Sequence, residues 1–355
     1  MSHPATSIRN QAQLTSERAL ASLPEGEITE ASRAAFAAGA DGLLRVESTI
    51  REKLASEASV LTDISEYLLS LGGKRIRPLL TILAGRLFGA HPAPDTLIRT
   101  AAGIEMIHMA TLLHDDIIDQ SPTRRNNTSA FLKFGSAPTL LAGDFLLVKA
   151  FGICAKLDSF VIEATERACI ELTEGEVEEG VIETGAEGTG TERYFWVIRR
   201  KTASLFALAA TIGAHFAGAS VAARDDMREF GYCAGCAFQM IDDILDIVAD
   251  EDLLGKPAGT DLRQKTPSLV NVLWLASGDP RATAFFDKEK PNEGECKEAM
   301  QIICSSQVLS EARELAAEYA ARASDLLDAL PDPNIDEQIR TSLKALLEYT
   351  LRRCL

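Results

Sequence analysis

Apolar residues recur along most of this chain at the three- and four-residue spacing of helices, and the alternation that marks strands is nearly absent. The pattern predicts helices over Thr29–Leu71, Ile76–Phe88, Leu97–Ser121, Ser136–Leu157, Phe160–Thr184, Thr191–Ala217, Ala222–Asp250 and Pro267–Ser277. Further helices are predicted near Lys297–Ser305 and Ser310–Ala329, with a last one over Asn334–Arg353. Breakers fall between them at Gly72-Gly73, Gly89–Pro94, Gly185–Gly190, Gly255–Gly259 and Pro331–Pro333. Two stretches, Ala203–Ala217 and Ala234–Val248, are apolar on most faces, as helices walled in by others are. No linker composition divides the chain. Residues 29–355 therefore read as one all-α domain, a single helical bundle, behind a loose N-terminal arm over residues 1–28.

Charge narrows the function. With 36 Lys and Arg against 52 Asp and Glu, the net charge of −16 argues against a general nucleic-acid binder. Any local cluster of Lys and Arg then stands out against the trend. No apolar run is read as long enough for a membrane span, and Met1–Leu23 lacks the apolar core of a secretion signal. Seven cysteines at scattered spacings suit reduced thiols in a cytoplasmic protein. Cys233-x-x-Cys236 has no second pair to complete a zinc site, and its small-residue setting reads as helix packing.

One acidic motif occurs twice. Leu112-Leu113-His114-Asp115-Asp116-Ile117-Ile118-Asp119 and Phe238-Gln239-Met240-Ile241-Asp242-Asp243-Ile244-Leu245-Asp246 both carry D-D-x-x-D inside an apolar, helix-compatible run. Side chains four apart share a helix face, so Asp115 projects with Asp119 and Asp242 with Asp246. Carboxylates crowded among Leu and Ile repel one another and are costly to desolvate unless a cation joins them. Oxygen-only ligands suit a hard ion, and Mg2+ shared with phosphate oxygens is the usual case. Cations accompany the acids. Gly72-Gly73-Lys74-Arg75-Ile76-Arg77-Pro78 gathers positive charge at a predicted helix start, where anions bind. Arg124-Arg125 follows the first acidic motif, His108 lies two turns before it, and Lys201-Thr202 opens an apolar helix. Gly255-Lys256-Pro257-Ala258-Gly259-Thr260-Asp261 adds a Gly-rich loop after the second motif. Such a set fits a substrate that is both anionic and metal-bound.

In order along the chain stand G-G-K-R-x-R-P, H-x-A-x-L-x-H-D-D-x-x-D, R-R, Gly143-Asp144, Glu174-Gly175-Glu176, K-T, F-Q-x-x-D-D-x-x-D and G-K-x-x-G-x-D. This ordered set resembles the trans-type isoprenyl diphosphate synthases, the polyprenyl synthetases, from about Gly72 to the C-terminus. The resemblance implies an all-α bundle around a central apolar cavity, a homodimer, and Mg2+-dependent condensation of isopentenyl diphosphate with an allylic diphosphate. By that resemblance Asp115, Asp116, Asp119, Asp242, Asp243 and Asp246 hold the metal. Catalysis falls to Asp115, Asp116, Asp119, Lys201, Gln239, Asp242 and Asp243. The allylic diphosphate is held by Arg124, Lys201, Thr202, Gln239 and Lys256, with Lys265 as a further candidate. Isopentenyl diphosphate sits on Lys74, Arg77, His108 and Arg125, with Arg352 or Arg353 closing over it.

Product length is read from the turns before Asp115. Ala110 and Thr111 are small, so the floor of the implied tunnel is open there; Met106 and Ile107 lie one turn deeper, roughly 5 Å away. The reading is a medium- or long-chain all-trans polyprenyl diphosphate, released peripherally to a membrane, with geranylgeranyl diphosphate as the alternative. A terpene cyclase is disfavoured by the second full acidic motif, and a non-catalytic regulatory subunit by the retention of both. Three positions depart from the family pattern: Asn126-Asn127 after the Arg pair, Lys265 one place early, and Glu179 where Gln is common.

Overall fold

The computed structural model describes residues 30–181, 190–248, 258–330, 332 and 334–352. The predicted arm over residues 1–28, Lys256 and Arg353 lie outside them. Helices dominate the described residues, as the periodicity predicts. They are α1 (Glu30–Lys53), α2 (Ser59–Ser70), α3 (Ile76–Leu87), α4 (Asp95–Ile118), α5 (Ala130–Phe134), α6 (Ser136–Cys154), α7 (Ser159–Val181) and α8 (Thr191–Lys201). Then come α9 (Ala203–Phe216), α10 (Val221–Val248), α11 (Thr260–Gln264), α12 (Leu269–Ala276), α13 (Pro280–Phe286), α14 (Glu293–Cys304), α15 (Val308–Asp328) and α16 (Glu337–Arg352).

Several boundaries differ from expectation, each for a local reason. The first predicted helix is two. Thr62 Oγ1 accepts the Ser56 N–H at 3.1 Å and donates to the Leu54 carbonyl at 3.1 Å, so side-chain hydroxyls satisfy the broken ends. Thr202 separates α8 from α9 where one helix is predicted. The short helix α13 has its signal in Asp279-Pro280: the Asp279 carboxylate caps the Arg281 N–H and proline fills the first turn. Helix α14 starts before Lys297 because Asn292 and Glu295 form a capping box. A hairpin was not expected at all. β1 (Thr123–Arg124) pairs antiparallel with β2 (Asn127–Thr128), joined by Arg125 and Asn126 with φ of 52° and 60°. Two consecutive left-handed residues make the turn that matches strand twist, and Asn adopts it readily.

One negative expectation is corrected. Helix α6 is 19 residues long and apolar enough to cross a membrane by length and composition. In the fold it packs along α4, and Ala142, Leu146, Ala150 and Ile153 are buried.

The described residues form two compact units. One comprises those up to Glu166 with Leu208–Arg228 and Ala329–Tyr349. It is built round α4, which packs on α1, α3 and α6 and buries Leu97, Ala101, Ile104, Met106, Ile107, Ala110 and Leu113. Polar groups along a helix covered on so many sides need partners, as Glu105 has in Arg75, and the acids gather at its end. The other unit comprises Arg167–Ala207, Glu229–Asp328 and Thr350 onward. Its core sets Met240, Ile241, Ile244 and Leu245 of α10 with Leu269, Leu273 and Trp274 of α12 and with Phe285 and Phe286 of α13. Cys233 and Cys236 are buried, free thiols.

Candidate active site

In the first unit the acids occupy the C-terminal end of α4. Asp115 is half-buried, Asp116 fully buried and Asp119 exposed, where Asp119 caps the helix with its N–H on the Asp115 carbonyl at 2.8 Å. The negative end of the helix dipole adds to these carboxylates and strengthens their demand for a cation. His114 is fixed beside them, its Nε2 3.1 Å from the Leu140 carbonyl and 3.6 Å from Asp144. It fills the space a side chain at Gly143 would need, which accounts for the G-D element.

The hairpin sends its two arginines to different partners. Arg124 Nε donates to Asp116 Oδ1 at 2.8 Å, and Nη2 donates to the same oxygen. Burial raises the Asp116 pKa while Arg124 opposes the rise. Arg125 lies against Gly73, where an added Cβ would sit 2.8 Å from its Nη1, and the Gly73 φ of 144° favours glycine there. Burial and then the charge of Arg75 bring the Arg125 pKa down to about 10, which still leaves it charged at pH 7.

Within G-G-K-R-x-R-P the cations divide. Arg75 is buried with φ of 48°, and its Nη1 donates to Glu105 Oε1 of α4 at 2.7 Å. It holds the loop. Lys74 Nζ lies 5.6 Å from the Tyr349 ring centroid. The His108 pKa is pulled well below its ordinary value by desolvation, then by the charges of Arg77, Arg125, Arg75 and Arg124. Arg75 and Arg124 are paired with Glu105 and Asp116, and the remaining guanidinium charge acting on the imidazole makes its surroundings favourable to an anion. The charges of Arg77 and Arg125 thus act on His108, with Arg75 and Glu105 as a structural pair that the motif alone does not separate.

In the second unit the middle aspartate turns inward. Asp243 is 5 % exposed; Tyr194 Oη donates to its Oδ2 at 2.7 Å, Leu269 N–H to Oδ2 at 2.9 Å and Gln239 Nε2 to Oδ1 at 2.9 Å. Burial raises its pKa to about 6, against the pull of these donors. Both oxygens of Asp243, expected as a metal ligand, accept hydrogen bonds from α8, α10 and α12, which fix the carboxylate in place. Thr202 Oγ1 donates to Gln239 Oε1 at 2.7 Å, so Thr202 orients Gln239 and Gln239 orients Asp243. Asp246 is buried, with the Asp261 N–H on its Oδ2 at 3.0 Å and the Gly259 N–H on its carbonyl at 2.7 Å. Asp242 is half-buried.

Lys201 is held by acids. Its Nζ is 2.9 Å from Glu176 Oε2 and also pairs with Glu179 Oε2, which gives Glu179 the role the sequence left without explanation. Lys265 is largely buried with φ of 53°, at the C-terminal end of α11. Arg352 is exposed at the end of α16.

The donor set fits a hard divalent ion. Among the described residues no group of three or more His, Cys, Asp or Glu forms a self-contained metal site. Asp116 Oδ2 is buried with no hydrogen-bond partner among the described residues. Mg2+ usually takes one or two carboxylates, keeps waters and completes its shell with substrate phosphates, so an incomplete all-oxygen set suits it better than a closed cage.

A model of the polyprenyl synthetase family matches residues 58–303. The chain is 35 % identical over 319 residues to the nonaprenyl diphosphate synthase of Mycobacterium tuberculosis, covering 88 % of this chain and 92 % of that one. It is 35 % identical over 300 residues to the octaprenyl diphosphate synthase of Escherichia coli, covering 82 % and 91 % respectively. A crystal structure of a polyprenyl synthase from Caulobacter crescentus, complexed with calcium and isoprenyl diphosphate, superposes with a TM-score of 0.85. It is 33 % identical and covers 91 % of this chain and 98 % of that one.

Proposed function

The chain belongs to the polyprenyl synthetase family, and from that premise we propose that it is a prenyltransferase condensing isopentenyl diphosphate with an allylic diphosphate. Repetition yields an all-trans polyprenyl diphosphate of medium or long chain. The observation that carries this reading lies on α4, where a cluster of carboxylates that needs a cation ends the same helix that bears His108, with Arg124 of the following hairpin on Asp116.

Asp115, Asp119, Asp242 and Asp246, with the Oδ2 of Asp116, are the groups to hold magnesium. The metal, when bound, neutralises the diphosphate as a leaving group. Arg125, Arg77, Lys74 and His108 bind isopentenyl diphosphate, and the neutral imidazole can donate one N–H to it. Gln239, locked between Thr202 and Asp243, presents a fixed dipole to the allylic cation. The allylic C1–O bond breaks, C4 of isopentenyl diphosphate bonds to C1, and a proton leaves C2 for the departing diphosphate. Water would trap the cation, so the tail-facing surface has to be dry, and Met106, Ile107 and Ala110 of α4 are apolar and buried.

Chain length follows from Ala110 and from the octaprenyl and nonaprenyl products named for the relatives, which favour this reading over geranylgeranyl diphosphate. The enzyme works as a homodimer: α6 exposes Leu140, Leu141, Val148 and Phe151, an apolar face suited to a second copy. Its free cysteines suit the cytoplasm, from which the product passes to a membrane. Sizing the products made from isopentenyl diphosphate with each allylic diphosphate tests the reading. Polyprenyl chains of defined length support it. Cyclic hydrocarbons, or no turnover with any primer, contradict it.

A further inference from the structure

Lys201 ends α8 with its ammonium between two carboxylates of α7, Glu176 and Glu179, which are three residues apart on one helix face. Gly175 permits this: a side chain there would overlap the Lys201 backbone, so the two helices approach closely. The side chains of Lys201, Glu176 and Glu179 are 24 %, 21 % and 26 % exposed, shielded enough for the pairs to matter more than open surface ones. Two carboxylates on one ammonium leave that corner with net negative charge. The next residue, Thr202, is tied to Gln239, so the backbone cannot carry the lysine away; only its flexible stem can swing.

We propose that Glu179 is a positioning residue that competes with the allylic diphosphate for Lys201, weakening the grip on that diphosphate so that it is released between rounds of condensation. The proposal rests on the reading that Lys201 serves the allylic diphosphate. Every round leaves a free diphosphate that has to depart, and where the family commonly carries a neutral Gln this chain adds a second carboxylate beside Lys201 to favour that step. Glu176 alone can keep the lysine in place, whereas the second carboxylate adds charge beyond what neutralisation requires.

The test compares Glu179→Gln, which keeps shape and hydrogen bonding but removes the charge, with Lys201→Ala in the full chain. KM for farnesyl diphosphate, KM for isopentenyl diphosphate and kcat are measured alongside melting temperature. In Glu179→Gln we expect KM for farnesyl diphosphate to fall about three- to tenfold, the scale of one partly shielded charge competitor. We expect kcat to fall with it and KM for isopentenyl diphosphate to hold. An unchanged or raised KM for farnesyl diphosphate overturns the proposal, because a merely structural tether loosens Lys201 and weakens binding. Should Glu179→Gln fold poorly, Glu179→Ser removes the same charge and faces the same two outcomes. Lys201→Ala checks the premise separately: its KM for farnesyl diphosphate should rise, and an unchanged value removes Lys201 from the allylic site.

Discussion

His108 is the residue whose charge the first unit controls most tightly. Its pKa lies well below 6.5, so the free protein holds it neutral at pH 7. A bound diphosphate opposes the guanidinium charges and raises the proton affinity of the imidazole. Protonation therefore favours binding over the neutral form, and KM for isopentenyl diphosphate should fall as pH drops below about 6.5 towards the lowered His108 pKa, a dependence flattened in His108→Gln. Stability moves the other way. Below about 6.5 the unfolded chain protonates His108 while the native state does not, so stability is lost as pH falls. Melting curves of the two proteins across that range check the sign. Glu105 makes a stability prediction of its own. Its pair with Arg75 is buried, the side chains being 4 % and 6 % exposed, so Glu105→Ala should cost about 3–5 kcal/mol by denaturant unfolding. Ala110, fully buried on α4, tests the tail cavity: Ala110→Phe should shorten the product by one or more isoprene units. An unchanged product distribution would show that this turn does not meet the tail.

At the scale of elements, the sequence displayed what repeats every three or four residues and hid what depends on distant partners. Helices α4 and α10 were legible because their apolar periodicity is long, and the acids were legible on them because D-D-x-x-D projects from one face. The inward turn of Asp243 was not. Its partner Tyr194 is 49 residues away on α8 and carries no local signal beyond an apolar helix face. The same holds for Arg75, which reads like Arg77 until Glu105, 30 residues on, is seen to claim it. The hairpin escaped because two residues per strand give no alternation to read, although Arg125-Asn126 sets the direction of both arginines. Tyr194→Phe tests the tie between α8, α10 and α12. It strips one of three donors from a buried carboxylate, so unfolding should cost about 1–3 kcal/mol less, with kcat reduced as Gln239 loosens.

For the whole molecule, the net charge of −16 makes the guanidinium charges of Arg77, Arg124 and Arg125 near His108 an exception suited to an anionic ligand. The apolar face of α6 belongs to the same scale. Val148 is 68 % exposed and Leu141 57 %, so the proposed dimer predicts that the parent protein sediments as a dimer and that Val148→Glu shifts it towards monomer. A sedimentation profile indistinguishable from that of the parent protein would place the interface elsewhere. In the proposed reaction, elongation depends on the aspartates of α4 and α10 through a divalent ion. The most direct measurement supplies the purified chain with farnesyl and isopentenyl diphosphates and sizes the lipid formed, with Mg2+ present and after its removal by chelation. We expect all-trans chains longer than geranylgeranyl in the first case, none in the second, and recovery when Mg2+ is restored. Undiminished elongation in the chelated sample would contradict the assignment of the acids.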